Sequence, residues 1–265
     1  MEMIIFTKSR KYINYIEKNA IPYLNFISGE ETLVIKCRTI DEAKDAIIRS
    51  QRMSAYCMDI RDEDDLVAYR EIMTDNKRLP VLLNAAASIA PVKYVAGGVS
   101  PDTLIRIYEL GTVSDKAKNL EALRDYLRRR VINADKRMIR GKVREDGRTI
   151  TYNIAVADIL CFKMRDRNNS YVYARRENDE HKRAGDESYK GYIVCSVKGN
   201  IQTLTDKMGP HFYLSKRASL INKIKIKGAD TKKSLIYLEG LAEGIAASRK
   251  QSMEIADIIG QGNIS

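Results

Sequence analysis

The sequence predicts a parallel α/β domain followed by a mainly β domain, and three observations support this prediction. Short apolar runs alternate with helical patterns through the first half of the 265-residue chain, which is typical of a parallel sheet wrapped by helices. The second half carries runs with period-two alternation, such as residues 149–156, which is typical of β-strands. The charge divides in the same way, because residues 1–127 have a net charge of −1 and residues 128–265 have a net charge of +12. This asymmetry favours a control module attached to a nucleic-acid-binding module.

In the first half, apolar runs predict short buried strands and local signals predict the helices between them. The strands are expected at residues 3–6, 32–37, 55–60, 81–83 and 93–96. Thr39 and Glu42 have the spacing of a capping box and predict that a helix follows. Ser100 and Pro101 supply an N-cap and a proline at the first helical position, so we expect another helix through Tyr108.

A single amphipathic helix is predicted between the two halves, over residues 113–132. Leu120, Leu123 and Leu127 recur there at helical spacing, which suits a connector or a dimer seam, but three repeats are too few to define a coiled coil. We therefore divide the chain into a first domain over residues 1–112, a helical linker over 113–137 and a second domain over 138–265.

The second half predicts short strands and one clear helix. Strands are expected at residues 149–156, 159–162, 171–174, 192–195, 224–226 and 235–238, and the helix at 198–208. Residues 176–190 are too charged to pack and predict a loop. Lysines and isoleucines alternate strictly over residues 223–227, which predicts a strand with a cationic face, suited either to a polyanion or simply to solubility.

Several classes of protein are disfavoured. No apolar run approaches the roughly 18 residues of a membrane span, and the first residues lack the basic region of a signal peptide. The four cysteines are isolated within apolar runs, so we expect buried thiols in a reducing cytoplasm. With two histidines, a histidine-rich metal site is not expected either. We predict a cytoplasmic protein that is not an enzyme and has no membrane segment, metal or cofactor.

Residues 138–259 resemble the LytTR DNA-binding domain of bacterial transcription regulators. That family carries a run of the form F-x-R-x-H-R-S-x-L-V-N after its helix. The chain matches this run at Phe212, Arg217, Leu220, Ile221 and Asn222, and departs from it at Leu214, Lys216 and Ala218. Two further landmarks of the family are matched by the segments Asp158-Ile159-Leu160-Cys161-Phe162 and Ser248-Arg249-Lys250.

The resemblance implies a ten-stranded β fold that grips double-stranded DNA with loops rather than with a recognition helix. The DNA-binding residues that it suggests are Arg165, Arg167, Asn168, Asn169, Lys216, Arg217, Asn222, Arg249 and Lys250. Arginine can pair with guanine and asparagine with adenine, whereas we expect Lys216 and Arg217 to contact phosphates. Two alternatives stay open, since Asn222 could cap a turn after its strand and Arg249 could be a simple surface cation.

The first half resembles the receiver domain of two-component response regulators, a flavodoxin-like α/β fold that often precedes LytTR domains. Asp59, at the end of the third predicted strand, matches the phosphoacceptor. The acidic pair that holds Mg²⁺ in receivers is replaced by Thr7 and Lys8, and Asn84 stands near the position of the usual threonine or serine. The usual Lys-Pro pair aligns with Gly97-Gly98.

Phosphoryl transfer to a carboxylate brings anionic groups together, and Mg²⁺ with a lysine normally offsets that charge. Without the acidic pair we predict a pseudo-receiver that has lost the phospho-switch, in which Lys8 occupies the position of the metal as a fixed cation. The acidic run at residues 62–65 offers an alternative metal cluster, although such runs are commonly solvated helix starts.

The leading interpretation is a sequence-specific regulator that binds DNA as a homodimer. Its first domain would mediate dimerisation or receive a signal from a sensor or regulatory protein. A phosphorylation-dependent response regulator using Asp59 is one alternative, and a Mg²⁺-dependent phosphotransfer enzyme is another. A third is an RNA-binding β domain, since aromatic side chains on a sheet can stack on bases. The candidates for such stacking are Tyr152, Tyr171, Tyr173 and Tyr192.

Overall fold

The computed structural model describes residues 1–50, 54–76, 79–86, 102–105, 113–175, 192–215 and 219–259. The chain divides into two compact units, Met1–Ala134 and Asp135–Ser265. The predicted strand at 93–96 and the predicted loop at 176–190 lie outside the described residues, as do Gly97-Gly98, Lys216 and Arg217. Among the described helices, none combines the length and the apolarity needed to cross a bilayer.

The first unit is an α/β domain with a five-stranded parallel sheet of order β2-β1-β3-β4-β5. Its strands are β1 Glu2–Phe6, β2 Leu33–Cys37, β3 Ser54–Ile60, β4 Val81–Ala85 and β5 Thr103–Ile105. Its helices are α1 Arg10–Asn19, α2 Ile21–Ser28, α3 Ile40–Arg49, α4 Glu63–Asp75 and α5 Val113–Ala134.

The first four strands lie within two residues of the predicted bounds. Strands β1, β3 and β4 are mostly buried, whereas β2 lies at the sheet edge and exposes Leu33. All five residues of β4 are buried, as expected for a strand covered on both faces. Helix α3 begins with the predicted capping box, in which Thr39 accepts from the Glu42 N–H and the Glu42 side chain accepts from the Thr39 N–H. The parallel α/β prediction for this half is therefore confirmed.

Strand β5 corrects the prediction of a helix running from Ser100 through Tyr108. Thr103, Leu104 and Ile105 pair in parallel with residues 82–84 of β4. The Ser-Pro signal is local, whereas the strand forms because the edge of β4 offers hydrogen-bonding partners from a distant part of the chain.

Helix α5 belongs to the first unit, and the chain divides at Ala134. The buried Tyr126 hydroxyl lies 3.0 and 2.9 Å from the Tyr56 and Pro80 carbonyls, between which it shares its one proton, and it accepts from the Tyr56 N–H. Arg130 donates to the Ser54 carbonyl at 2.9 Å. These bonds attach the helix to β3 and to the start of β4, so its apolar stripe packs on the sheet.

The second unit is mainly β, as predicted, and its described residues form ten strands. A seven-stranded antiparallel sheet has the order β11-β12-β8-β9-β10-β6-β7, and a small sheet has the order β13-β14-β15. The strands of the large sheet are β6 Met138–Glu145, β7 Arg148–Ala155, β8 Ile159–Met164, β9 Asn169–Arg175, β10 Tyr192–Lys198, β11 Phe212–Ser215 and β12 Ser219–Asn222. The small sheet comprises β13 Ile226–Asp230, β14 Leu235–Leu238 and β15 Ile245–Ala246, and the helices are α6 Ile201–Met208 and α7 Arg249–Ile258.

One face of the large sheet packs on α6 to form the core. Phe162, Val172 and Leu220 are fully buried there, and Phe162 lies 5.8 Å from the ring of Phe212. Phe212, Leu220 and Ile221, the apolar residues that match the LytTR run, are all buried. All four cysteines are buried and none of them forms a disulfide bond, and burial raises the pKa of Cys161 to about 12.

Strand β6 approaches β10 so closely that the contact admits only glycine at position 141. A Cβ atom there would lie 2.6 Å from the Cys195 Cβ and 2.9 Å from the Ile154 Cδ1. The β6–β7 hairpin therefore joins the sheet through a site with no room for a side chain.

Two predictions for this unit were wrong. Lys223–Lys225 form a 3₁₀ turn rather than a strand, and Lys225 is only 6% exposed, so the alternating lysines do not form a cationic face. Burial lowers the pKa of Lys223. The second error is α7, which was not predicted, although Ser248 and Gln251 form a capping box at its start.

Candidate nucleic-acid interface

The turn between β8 and β9 is ordered by one carboxylate. Asp166 Oδ1 accepts from the N–H groups of Asn168 and Asn169 at 2.8 and 2.9 Å, and from the Asn169 side-chain amide at 3.0 Å. These bonds, led by the Asn168 N–H, lower the pKa of Asp166. Since the amide of Asn169 is engaged within the turn, Arg167 and Asn168 are the exposed residues at its tip.

Arg165 begins the same turn but leans onto the sheet. Its guanidinium donates to Ser196 Oγ at 3.2 Å and lies 5.3 Å from the centre of the Tyr171 ring. Of the four predicted residues in this loop, Arg167 and Asn168 therefore project from the tip, while Arg165 covers an aromatic ring.

Helix α7 presents two cations in its first turn. Ser248 caps the helix, and Gln251 donates to the Leu214 carbonyl at 3.1 Å, which attaches this turn to β11. Arg249 and Lys250 are exposed, and neither forms an ion pair within the described part of the chain. A helix N-terminus with two cations suits a phosphate, because its backbone N–H groups also favour negative charge.

The hairpin of β11 and β12 carries the run that resembles the LytTR motif, and Lys216 and Arg217, which follow β11 in the sequence, lie outside the described residues. Its strands pair from Phe212 with Asn222 to Ser215 with Ser219. Ser215 Oγ donates to the Ala246 carbonyl at 2.7 Å, so the hairpin end is fixed beside the chain that leads into α7.

Asn222 is placed where it cannot read a base. It is 1% exposed, its Nδ2 donates to the Ile159 carbonyl at 2.8 Å, and its Oδ1 accepts from the Ile224 N–H at 3.2 Å. It caps the 3₁₀ turn after β12, which was the alternative left open by the sequence. We therefore leave Asn222 out of the candidate interface.

Strand register brings these segments to one end of the sheet. Ser219 at the start of β12 pairs with Lys163 near the end of β8, so the β8–β9 turn and the β11–β12 tip emerge at the same end. Gln251 and Ser215 hold the first turn of α7 beside the β11 side of that tip. We call this region the loop end.

Three cations at the loop end were missed by the sequence analysis. The Ala247 N–H donates to the Ser234 carbonyl at 2.9 Å, which places the β13–β14 turn beside the start of α7. Lys232 and Lys233 are exposed in that turn, and Lys198 is exposed at the end of β10, in register with Asn169. A basic turn between two predicted strands was visible in the sequence, but its position depends on pairing that the sequence does not reveal.

In the first unit, Asp59 is enclosed by two internal donors. It is 1% exposed at the end of β3, where Thr7 Oγ1 donates to its Oδ2 at 2.6 Å and Asn84 Nδ2 donates to its Oδ1 at 2.7 Å. Thr7 is oriented in turn because its Oγ1 accepts from the Ser9 N–H at 2.8 Å. Both carboxylate oxygens are therefore engaged by side chains of the protein.

Lys8 does not take the place of the metal beside Asp59, which corrects the prediction. Its side chain is 57% exposed and pairs with Asp65 at 3.2 Å. This contact with Asp65 raises the pKa of Lys8. Asp62 caps α4 by accepting from the Asp65 N–H, and the acidic run therefore begins a helix. Among the described residues, no group of three or more His, Cys, Asp or Glu side chains could hold a metal ion.

The chain was also compared with known proteins. No protein-family model matches it, and no curated protein does. The LytTR and receiver resemblances therefore stay interpretations that rest on the motifs and on the residue placement described above.

Proposed function

We propose that this chain is a DNA-binding transcription regulator that contacts duplex DNA with the loop end of its second unit. The observation that carries the proposal is the convergence there of cations from separate stretches of sequence. The described members are Arg167, Lys198, Lys232, Lys233, Arg249 and Lys250.

The chemistry of these side chains suits two kinds of contact. Arg167 stands at the tip of an ordered turn, where its guanidinium could donate two hydrogen bonds to a guanine edge. Arg249 and Lys250 stand at a helix N-terminus, where phosphate is favoured by charge and by the backbone N–H groups. The engaged amides of Asn169 and Asn222 give these two residues supporting roles in the fold.

The first unit would act as an input or dimerisation module without an ordinary phospho-switch. Its carboxylate at position 59 is buried and doubly hydrogen-bonded, and the receiver's metal-binding acidic pair is replaced by Thr7 and Lys8. Homodimerisation on repeated half-sites is part of the proposal and follows from the LytTR resemblance.

The experiment has two stages. A random pool of duplex DNA is selected on the full chain, and the enriched sequence is then titrated at several salt concentrations. Each neutralised phosphate releases counterions, so we expect affinity to fall by about 10³-fold or more between 50 and 200 mM salt for six or more contacts. An unenriched pool or a flat salt dependence would overturn the proposal.

The residues are tested with a matched pair of double variants. Arg249→Ala with Lys250→Ala removes two charges from the loop end and should lower the salt slope by about two. Lys116→Ala with Lys118→Ala removes the same charge from exposed positions on α5 and should leave the slope nearly unchanged. If the two double variants lowered the salt slope equally, binding would depend on the net charge of the chain and not on the loop end.

A further inference from the structure

The large sheet has a second face, opposite the core, that carries aromatic rings and cations. We call the part of it formed by β9, β10, β6 and Lys163 the open face. Tyr171 and Tyr173 lie on it two residues apart on β9, and Tyr192 lies on β10 with its ring 5.8 Å from that of Tyr173. Tyr152, the fourth tyrosine considered from the sequence, packs against the core instead.

The Tyr171 ring is exposed, the Tyr173 and Tyr192 rings are partly buried, and cations lie beside them. Tyr171 is 37% exposed, and Val194, which pairs with Tyr173, is also exposed. Arg165 lies over the Tyr171 ring, and Lys163 Nζ lies 4.8 Å from the centre of the Tyr173 ring. Burial raises the pKa of Tyr173, with smaller contributions from neighbours that include Glu243, so this ring is less accessible than Tyr171.

Strand β6, which neighbours β10, carries a row of cations on the same face as the tyrosine rings. Ser196 on β10 pairs with Lys142, which places the even-numbered side chains of β6 on the open face. Every charged side chain among the described strand residues of this face is a cation. They are Arg140, Lys142, Arg144, Lys163, Arg175 and Lys198.

We infer that the open face binds single-stranded nucleic acid, with unpaired bases stacked on the tyrosines and phosphates held by the β6 cations. Rings two residues apart on a strand are separated by about 6.6 Å, since each residue advances the strand by about 3.3 Å. Bases stacked in a duplex are only about 3.4 Å apart along each strand. Neighbouring bases can therefore reach neighbouring rings only after they unstack, which a single strand allows.

Single strands explain more of this face than a duplex or an acidic protein does. A duplex presents phosphates, which suit the cations, but its bases offer no free faces for the tyrosines. An acidic polypeptide likewise uses only the cations. Bases that stack on tyrosine and on the Arg165 guanidinium would use both features of the surface. This inference does not rest on the proposed function, because the tyrosines and the β6 cations that carry it lie outside the loop end, and only Lys198 belongs to both surfaces.

The test is fluorescence anisotropy of the full chain with labelled single strands of about 15 nucleotides. One probe is oligodeoxythymidylate and another is oligouridylate, so the comparison shows whether the open face prefers single-stranded DNA or RNA. Tyr171→Ala should weaken binding of at least one probe by about 5- to 150-fold, since stacking contributes about 1–3 kcal/mol per base. Tyr171→Phe keeps the ring and should retain most of the affinity.

The controls separate this site from the loop end. Arg249→Ala with Lys250→Ala should weaken duplex binding and leave single-strand binding nearly unchanged, whereas Tyr171→Ala should do the reverse. Circular dichroism of each variant confirms that it is folded. Failure to bind either single strand, or binding that Tyr171→Ala does not weaken, would overturn the inference. The same holds if polyglutamate or duplex DNA binds in a manner that depends on Tyr171.

Discussion

The two units use their polar side chains in opposite ways. In the first unit, Asp59 is enclosed, and its two oxygens accept from Thr7 and Asn84 at 2.6 and 2.7 Å. In the second unit, Arg167, Arg249 and Lys250 extend into solvent from an ordered turn and a capped helix. A polar group whose hydrogen bonds are satisfied internally stabilises the fold, whereas an exposed cation on a rigid support is available to a ligand. The comparison teaches that the chemical type of a residue is a poorer guide to function than the partners that it already has.

The strongest test of this comparison is phosphorylation of Asp59. The full chain, incubated with acetyl phosphate and Mg²⁺ and weighed intact, should gain no phosphoryl group. The buried carboxylate lacks the acidic neighbours that bind the metal, and Mg²⁺ is what offsets the charge of the reaction. A near-stoichiometric gain of one phosphoryl group that Asp59→Asn abolishes would show that the enclosed Asp59 carboxylate can still be phosphorylated, which contradicts the prediction.

A matched pair of asparagine variants gives the next largest effect. Asn222→Ala removes a buried amide and leaves the Ile159 carbonyl and the Ile224 N–H without a partner, so unfolding free energy should fall by about 2–4 kcal/mol. Asn168→Ala changes an exposed side chain at the tip of its turn, and stability should change by less than about 0.5 kcal/mol.

Urea denaturation followed by circular dichroism measures both changes. Duplex binding by the folded fraction distinguishes the roles, because only Asn168→Ala should alter it. If Asn222→Ala were stable and failed to bind duplex DNA, Asn222 would be a base-reading residue after all.

The open face depends on the attachment of β6, and Gly141→Ala tests it. The added Cβ would meet the Cys195 Cβ at 2.6 Å, so we expect a loss of about 1–3 kcal/mol. Hydrogen exchange should speed up in peptides that cover β10. Gly147→Ala is the control, since position 147 is uncrowded and its cost comes only from a φ of 77° in the turn of the same hairpin. Unchanged exchange along β10 would show that the sheet accommodates the added atom.

The smallest effect is expected for Lys8→Gln. The pair with Asp65 is solvent-exposed on the lysine side, so its loss should cost less than about 1 kcal/mol. Because the pKa of Lys8 is raised above 10.5, the contribution is present at neutral pH and is lost as the pH rises through that higher value. Thermal unfolding measures this loss of stability, and Arg10→Gln, which removes a nearby exposed cation, is the control. A loss of several kcal/mol would restore Lys8 as the fixed cation that the sequence predicted.

The sequence predicted those elements whose signal is local or strongly periodic. Strands β1, β3 and β4 are apolar runs because they are buried in a parallel sheet, and α3 begins with a capping box that can be read directly.

The failures occurred where tertiary contacts decide the outcome. Thr103–Ile105 form a strand because β4 supplies partners, despite the helix signal before them. The Lys223–Lys225 segment alternates like a strand but turns, since Asn222 caps it. The loop end depends on register between distant strands, so the roles of Lys232 and Lys233 could not be deduced from their neighbours in sequence. By contrast, the capping box of α7 was readable and was overlooked.

The hydrogen bonds around Asp59 have an evolutionary consequence. An aspartate retained at this position in related chains would suggest phosphorylation, yet here it is held by its bonds with Thr7 and Asn84. The three positions should therefore covary, because replacing one leaves a buried polar group of another without a partner. In a related chain with an acidic residue at position 7, two carboxylates would face each other, and a metal ion or a further substitution would have to accompany the change.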